Sequence, residues 1–410
     1  MATARTLPVQ NALQLQRARQ RRRQTIVTAI ALAIIIAAWL IGYANTGSSD
    51  AGPYVKNVLP GADRIETRRD LYVGYQGDTL VGYAQVGTAS GYGGPVEVLV
   101  GIDPDGNITG AQIVGHKETP GFFRLIGREN FLAQFVGLSY KDPMQLGDDI
   151  DRVSGATFSA EGVARSIREA VRDLSTSELN ASVPAEHRSI KFGIPEATLI
   201  ALFVVSYFLH KTRRKNVKHY GRWAVMLTGI VVLGFLYNKP FTLSNVISLL
   251  AGFWPDWQDN LYWFLLLGGI FSVTFIQGKN PYCSWFCPFG GVQEILGSFT
   301  GAKVYRPRSM YTKLQWAQRV LAFGAIVAGL ALRMPGAASY EPFGTLFNLK
   351  GSWPQWVLLV LVMLASLVIY RPWCNYICPL GPVVDYVGEV RHWAKDAWKN
   401  GKARFSNKAS

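Results

Sequence analysis

Acidic side chains are scarce in this 410-residue chain: 27 Asp and Glu stand against 42 Lys and Arg. Only 17% of its residues are charged, although the formal net charge is +15. With 49% hydrophobic residues, so little charge excludes a solvated polyelectrolyte and places the basic side chains in the loops of a membrane protein rather than on a nucleic-acid face. Cysteine is rarer still. Four are present, as two close pairs, Cys283/Cys287 and Cys374/Cys378. That excludes a disulfide framework and leaves one four-thiol site or two reactive pairs. Of five histidines only His210 falls in an apolar run, at its very end, so an intramembrane pair of axial haem ligands is excluded. The basic segments carry no DNA-binding motif, and no direct contact with nucleic acid is expected.

What is present is apolar length. After a basic N-terminus at 1–24, residues 25–44 run uncharged for long enough to span a bilayer, and they read as an uncleaved anchor rather than a signal peptide. Residues 45–193 are soluble in character. From 194 the chain is apolar again, with further spans expected at 194–210, 223–237, 261–276, 320–334 and 356–370. Basic residues fix the alternation. Segments 211–222, 277–319 and 371–410 hold six, six and seven Lys or Arg, whereas 238–260 and 335–355 hold one each. The expectation is six transmembrane helices with both termini in the cytoplasm and residues 45–193 outside it. A five-helix membrane domain would occupy 194–390, and a basic tail at 391–410 would lie on the inner leaflet.

Within the outer domain, Thr79–Val86, Val96–Ile102 and Ile108–Val114 read as strands, the last two joined by the turn Asp103-Pro104-Asp105-Gly106. Helices are expected at Phe122–Val136 and Ala160–Leu174, which gives an α+β domain. On the second helix the apolar residues Ala160, Val163, Ala164, Ile167, Ala170, Val171 and Leu174 form one face. Just before it stands Asp151-Arg152-Val153-Ser154-Gly155-Ala156-Thr157. Small residues and hydroxyls at a helix start suit a phosphate, because free N–H groups and the positive end of the dipole meet there. An ordinary Ser/Thr cap is the alternative.

The membrane part repeats itself. Pro281-Tyr282-Cys283-Ser284-Trp285-Phe286-Cys287-Pro288 matches Pro372-Trp373-Cys374-Asn375-Tyr376-Ile377-Cys378-Pro379, 91 residues further on, and each copy follows an apolar hairpin. Cysteines at i and i+4 share a helical face, so two copies can offer four thiolates to one metal. That donor set suits an iron–sulfur cluster and also zinc; four inert buried thiols are the remaining reading.

The outer motifs carry a resemblance. Gly115-His116-Lys117-Glu118-Thr119-Pro120-Gly121-Phe122, followed by Asp151-x-x-Ser154-Gly155-Ala156-Thr157, resembles the FMN-binding domain family of sodium-pumping and Rnf-type electron-transfer complexes. The resemblance implies FMN joined through a phosphoester to Thr157 by an extracytoplasmic flavin transferase. Ser154, Gly155 and Ala156 would line the phosphate, and His116, Glu118, Thr119, Pro120 and Gly121 would lie near the flavin. The whole layout resembles the NosR/NirI/PceC-type membrane flavoproteins, without a ferredoxin module after Cys378. This implies a multi-pass protein of the bacterial inner membrane. It would pass electrons from quinol or a cytoplasmic donor to a periplasmic reductase system (nitrous oxide, nitrite or reductive dehalogenase type) or its maturation factors. An iron centre held by Cys283, Cys287, Cys374 and Cys378 would work with FMN. It would be an electron-transfer component rather than a stand-alone catalyst. A membrane sensor and a zinc-stabilised assembly scaffold are the alternatives. A spatial question stays open: with thiols inside and flavin outside, about 30 Å of hydrocarbon separates them. Either the cysteines lie deeper than the loop charges suggest or another centre intervenes.

Overall fold

A computed structural model describes residues 6–45, 50–91, 93–118, 120–128, 130–153, 156–183, 190, 192–278, 280–304, 308–336, 338 and 340–391. Helix α1, Thr6–Ala44, contains the apolar anchor. Its outward side chains, such as Ile26, Ile30 and Leu40, are exposed, as a lipid-facing helix requires. The short helix α2, Val55–Val58, then leads into an antiparallel sheet of order β1-β2-β3-β4-β5. Its strands are β1 Arg64–Arg68, β2 Leu71–Gln76, β3 Thr79–Ser90, β4 Pro95–Ile102 and β5 Ile108–His116. The three expected strands are present, and β3 and β5 run further than their apolar alternation. Strands β1 and β2 were not legible, because Arg-Ile-Glu-Thr-Arg is mostly charged and its turn has Arg69, not glycine, at positive φ (56°).

Helix α3, Pro120–Arg128, stops earlier than the expected Val136. Asn130 turns left-handed (φ 49°), and a 3-10 turn over Phe131–Phe135 follows. Helix α4, Thr157–Ser177, lies across the sheet. The seven residues of its expected apolar face are all essentially inaccessible. They pack on the Val96, Val98, Val100 and Ile102 face of β4 and with it form the centre of the larger of this domain's two buried clusters. Ser166 Oγ ties the helix to the sheet by donating to the Val96 carbonyl at 2.9 Å.

The second body is helical: α5 Ile194–Lys211, α6 Lys215–Thr228 continuing as π-helical turns over Gly229–Leu236, α7 Leu243–Ala251 and α8 Leu261–Gln277. A π-helical segment Tyr282–Phe286 precedes α9 Pro288–Thr300, followed by α10 Arg308–Ala331, α11 Phe343–Asn348, α12 Trp353–Ser366 and α13 Pro372–Tyr376. Residues 380–391 are helical again. Among the described residues four helices are long and apolar enough to cross a membrane: Thr25–Ala44, Ile194–Lys211, Lys215–Leu236 and Tyr311–Ala331. The apolar helices α8 and α12 are shorter, at 17 and 14 residues. Helix α1 packs on α10, with Gly42 against the Leu330 carbonyl. The α+β domain rests on the loop between α7 and α8: Arg165 of α4 pairs with Asp259 at 2.9 Å.

Candidate functional site

Three elements of the soluble domain converge on Glu118. Its carboxylate is fully buried. Oε1 accepts the Gly93 N–H at 3.1 Å, and Oε2 accepts the Ser159 hydroxyl at 2.9 Å. A buried carboxylate needs such donors, and here they lock the β3–β4 turn to the first turn of α4. Two close approaches make the lock possible. A Cβ on Gly91 would overlap the Glu118 carboxylate, and one on Gly162 would lie 2.8 Å from the Gly91 Cα. His116 ends β5 and stacks on Phe123, ring centroids 3.8 Å apart and 22° between planes. Its Nδ1 is buried and has no hydrogen-bond partner among the described residues. Burial, reinforced by Lys117, holds its pKa below the usual imidazole value.

Thr157 begins α4 with Ala156 as N-cap. Among the described residues that end has no side-chain cap and no acidic residue in its first turn. An uncapped helix start with no acidic residue of its own fits a phosphate; the Glu118 carboxylate meets this turn at the Ser159 hydroxyl. Pro120 and Gly121 open α3. Thr119, Ser154 and Gly155 lie outside the described residues. The structure thus brings His116, Glu118, Ala156 and Thr157 to one corner. It adds Gly91 and Gly93, whose signal was the glycine-rich run Ser90-Gly91-Tyr92-Gly93-Gly94, and Ser159, two residues beyond Thr157.

The cysteines occupy one apolar core with Tyr282, Phe286, Phe289 and Trp373. Cys378 is buried and the other three are partly so. Cys378 is within electrostatic reach of Cys374, Cys283 and Cys287. Among the described residues no three Cys, His, Asp or Glu side chains are drawn closely enough to hold an ion. The neighbourhood is shared and its donors are all sulfur, which suits a cluster or zinc.

The simple picture of two cysteines on one α-helical face is corrected by the backbone. In both copies the second cysteine's N–H reaches back five residues, Cys287 to the Tyr282 carbonyl and Cys378 to that of Trp373, each at 2.8 Å. Cys287 itself is extended (φ −60°, ψ 118°). The cause is the following proline, Pro288 or Pro379, whose ring disfavours helical geometry in the residue before it.

The polar surroundings come from distant parts of the chain. Arg371, held left-handed at φ 48°, donates to the Cys283 carbonyl at 3.0 Å and pairs with Glu294. Arg222 binds the same carboxylate at 2.5 Å and 2.7 Å. Gln293 is fully buried; its Nε2 lies 3.6 Å from Cys374 Sγ, and its Oε1 accepts the Trp373 N–H at 3.0 Å. Gln318 donates to the Cys378 carbonyl at 2.7 Å. None of these residues stood out in the sequence.

The FMN-binding domain family matches residues 91–172, and the 4Fe-4S binding domain family matches 259–307 and 352–399, the two cysteine repeats. The chain is therefore a flavoprotein with FMN and iron–sulfur as its cofactors, joined to apolar helices suited to a membrane. More particularly it is NosR- and NirI-like. It is 29% identical to NirI of Paracoccus denitrificans over 46% of this chain and 30% of NirI. It is 25% identical to the regulatory protein NosR of Stutzerimonas stutzeri over 51% of this chain and 31% of NosR. A component of the proton-translocating ferredoxin:NAD(+) oxidoreductase complex of Clostridium ljungdahlii is 29% identical over 28% of this chain and 64% of that component. The chain thus matches under a third of the length of NirI and NosR.

Proposed function

We propose that this protein is a membrane electron-transfer flavoprotein. It carries electrons between a four-cysteine iron–sulfur centre and FMN attached to Thr157, and delivers them to an extracytoplasmic reductase system. The observation that carries the reading is the presence in one chain of two separate redox-type sites: the Glu118 corner with the open start of α4, and the shared core of Cys283, Cys287, Cys374 and Cys378. FMN supplies one- and two-electron chemistry and the cluster one-electron chemistry. The protein's part is positional. Glu118, Gly93 and Ser159 hold the corner, and the start of α4 takes the phosphate at its dipole. Arg371 and Gln293 hold the two cysteine loops against each other, and Gln318 braces the second loop through the Cys374 and Cys378 carbonyls.

In this reading the six apolar helices all cross the inner membrane, α8 and α12 as short spans. Both termini are cytoplasmic, and the FMN domain, periplasmic, receives its flavin from a flavin transferase. The proposed clients are reductase systems of the nitrous oxide, nitrite or reductive dehalogenase type, with quinol or a cytoplasmic donor as the electron source. The test is direct. Expressed with a flavin transferase, the protein keeps a fluorescent flavin band in a denaturing gel, and Thr157→Val removes it; persistence of the band rejects attachment at Thr157. Iron analysis of Cys374→Ser against the parent protein decides the centre, and zinc without iron in the parent rejects the relay. The regulatory role in NosR's name favours a second reading, a membrane sensor acting through a partner. It predicts altered client expression in a strain whose Thr157→Val protein is inserted normally.

A further inference from the structure

Where the FMN domain rests on the helical body there is a cleft of about 90 Å³. Ser90, Gly91 and Gly94 form one wall; Asn238, Lys239 and Trp263 stand in the other. At roughly 10–15 Å³ for each water-sized group, the space admits about six to nine such groups, the size of one heterocycle with its carbonyls. Gly91 is the residue pressed against Glu118 and Gly162, so this wall is the back of the flavin corner. Five residues of α4 separate Gly162 from Thr157, about 7–8 Å of helix, a distance that a ribityl chain can cover.

The far wall has specific chemistry. Asn238, at φ 42°, presents a buried Oδ1 with no hydrogen-bond partner among the described residues. A buried acceptor left in that state costs about 1–3 kcal/mol, so it calls for a donor. Beside it Lys239 carries a cation, 3.6 Å from Glu196 and 4.7 Å over the Tyr262 ring. An acceptor next to a cationic donor matches the neighbouring N3–H and C2 carbonyl of an isoalloxazine. We propose that this cleft holds the pyrimidine end of the flavin, with Asn238 and Lys239 of the membrane part reading its edge. The inference rests on FMN attachment at Thr157. Lys239 then faces the edge where reduced flavin carries negative charge, and Trp263 lies beside the ring.

The experiment uses the full-length, flavin-loaded protein and three readouts: the flavin band in a denaturing gel, flavin fluorescence of the native protein, and the flavin midpoint potential. Trp263→Leu is expected to raise native fluorescence several-fold with an unchanged gel band. Lys239→Gln is expected to lower the midpoint potential, and Lys239→Arg to restore it. The double variant Lys239→Gln with Glu196→Gln removes both charges together, so no lone carboxylate disturbs folding. Full gel bands with native fluorescence and potential identical to the parent in every variant would overturn the cleft while leaving attachment intact. Loss of the band from the parent protein removes the attachment, and with it the ligand proposed here.

Discussion

Tyr282, the residue before the first cysteine, accepts a hydrogen bond from the Phe241 amide at 2.8 Å, and both side chains are fully buried. Phe241 lies two residues beyond Lys239, about 7 Å of extended chain at most. The first cysteine motif is therefore linked to the face that carries the soluble domain through a few side chains. Tyr282→Phe leaves the Phe241 N–H buried without an acceptor, at a cost of about 1–3 kcal/mol. The expected result is a lower melting temperature with iron content retained, read by thermal unfolding and metal analysis of the same preparation.

Arg371 is buried between the two motifs and shares Glu294 with Arg222. Arg371→Gln removes one partner of a buried pair, which typically costs about 3–5 kcal/mol. Because Arg222 keeps hold of Glu294, the expected loss lies near the lower figure, about 3 kcal/mol. Arg371→Lys is not a conservative rescue, since one ammonium cannot span the Cys283 carbonyl and the Glu294 carboxylate as a planar fork does. Denaturant titration of both variants in detergent checks this; parent-like stability of Arg371→Gln contradicts it.

Gly91→Ala forces a methyl group into the Glu118 carboxylate and breaks its bonds to Gly93 and Ser159. Overpacking of this kind costs about 1–3 kcal/mol. The flavin band is expected to weaken, while iron content, set in the other body, stays at the parent level.

His116 predicts a pH dependence. Its pKa in the folded domain is depressed below the usual value near 6.5, chiefly by burial against Phe123 and then by Lys117. The unfolded chain therefore binds more protons in the window between the folded and unfolded pKa values. Stability rises with pH across that window, is fully present above about 6.5, and is lost as pH falls towards the lower value. His116→Gln should flatten this slope in unfolding curves taken between about pH 7.5 and about pH 5. An unchanged slope assigns the dependence to another group.

Much of this was legible from local pattern. The seven apolar positions of α4 are its buried face, because the helical period alone decides which side meets the sheet. The strands rich in Val and Leu were read, whereas β1 was not, since a charged edge strand carries no alternation. The cysteine motifs stood out by repetition. What holds them did not. Ser159 meets Glu118 across 41 residues, and Gln293 meets Trp373 across 80. Such pairs follow from tertiary packing, and a single buried Gln or Arg has no local signature. The left-handed residues Asn130, Asn238 and Arg371 escaped for the same reason: the surrounding fold imposes their backbone conformation.

The two cysteine loops share their backbone bonds, yet Gln293 serves only one of them, and the position 91 residues on is Val384, apolar and buried. Asn280, which accepts the Cys283 amide at 3.2 Å, has Arg371 as its counterpart. The halves are thus repeats in sequence that differ in the side chains holding each motif. Neither can be replaced by a second copy of the other. A chain built from two first repeats would bury an extra amide in place of Val384 and lose the guanidinium that joins the loops. Each repeat supplies the other with a contact it does not make for itself, Arg371 to the first loop and Gln293 to the second.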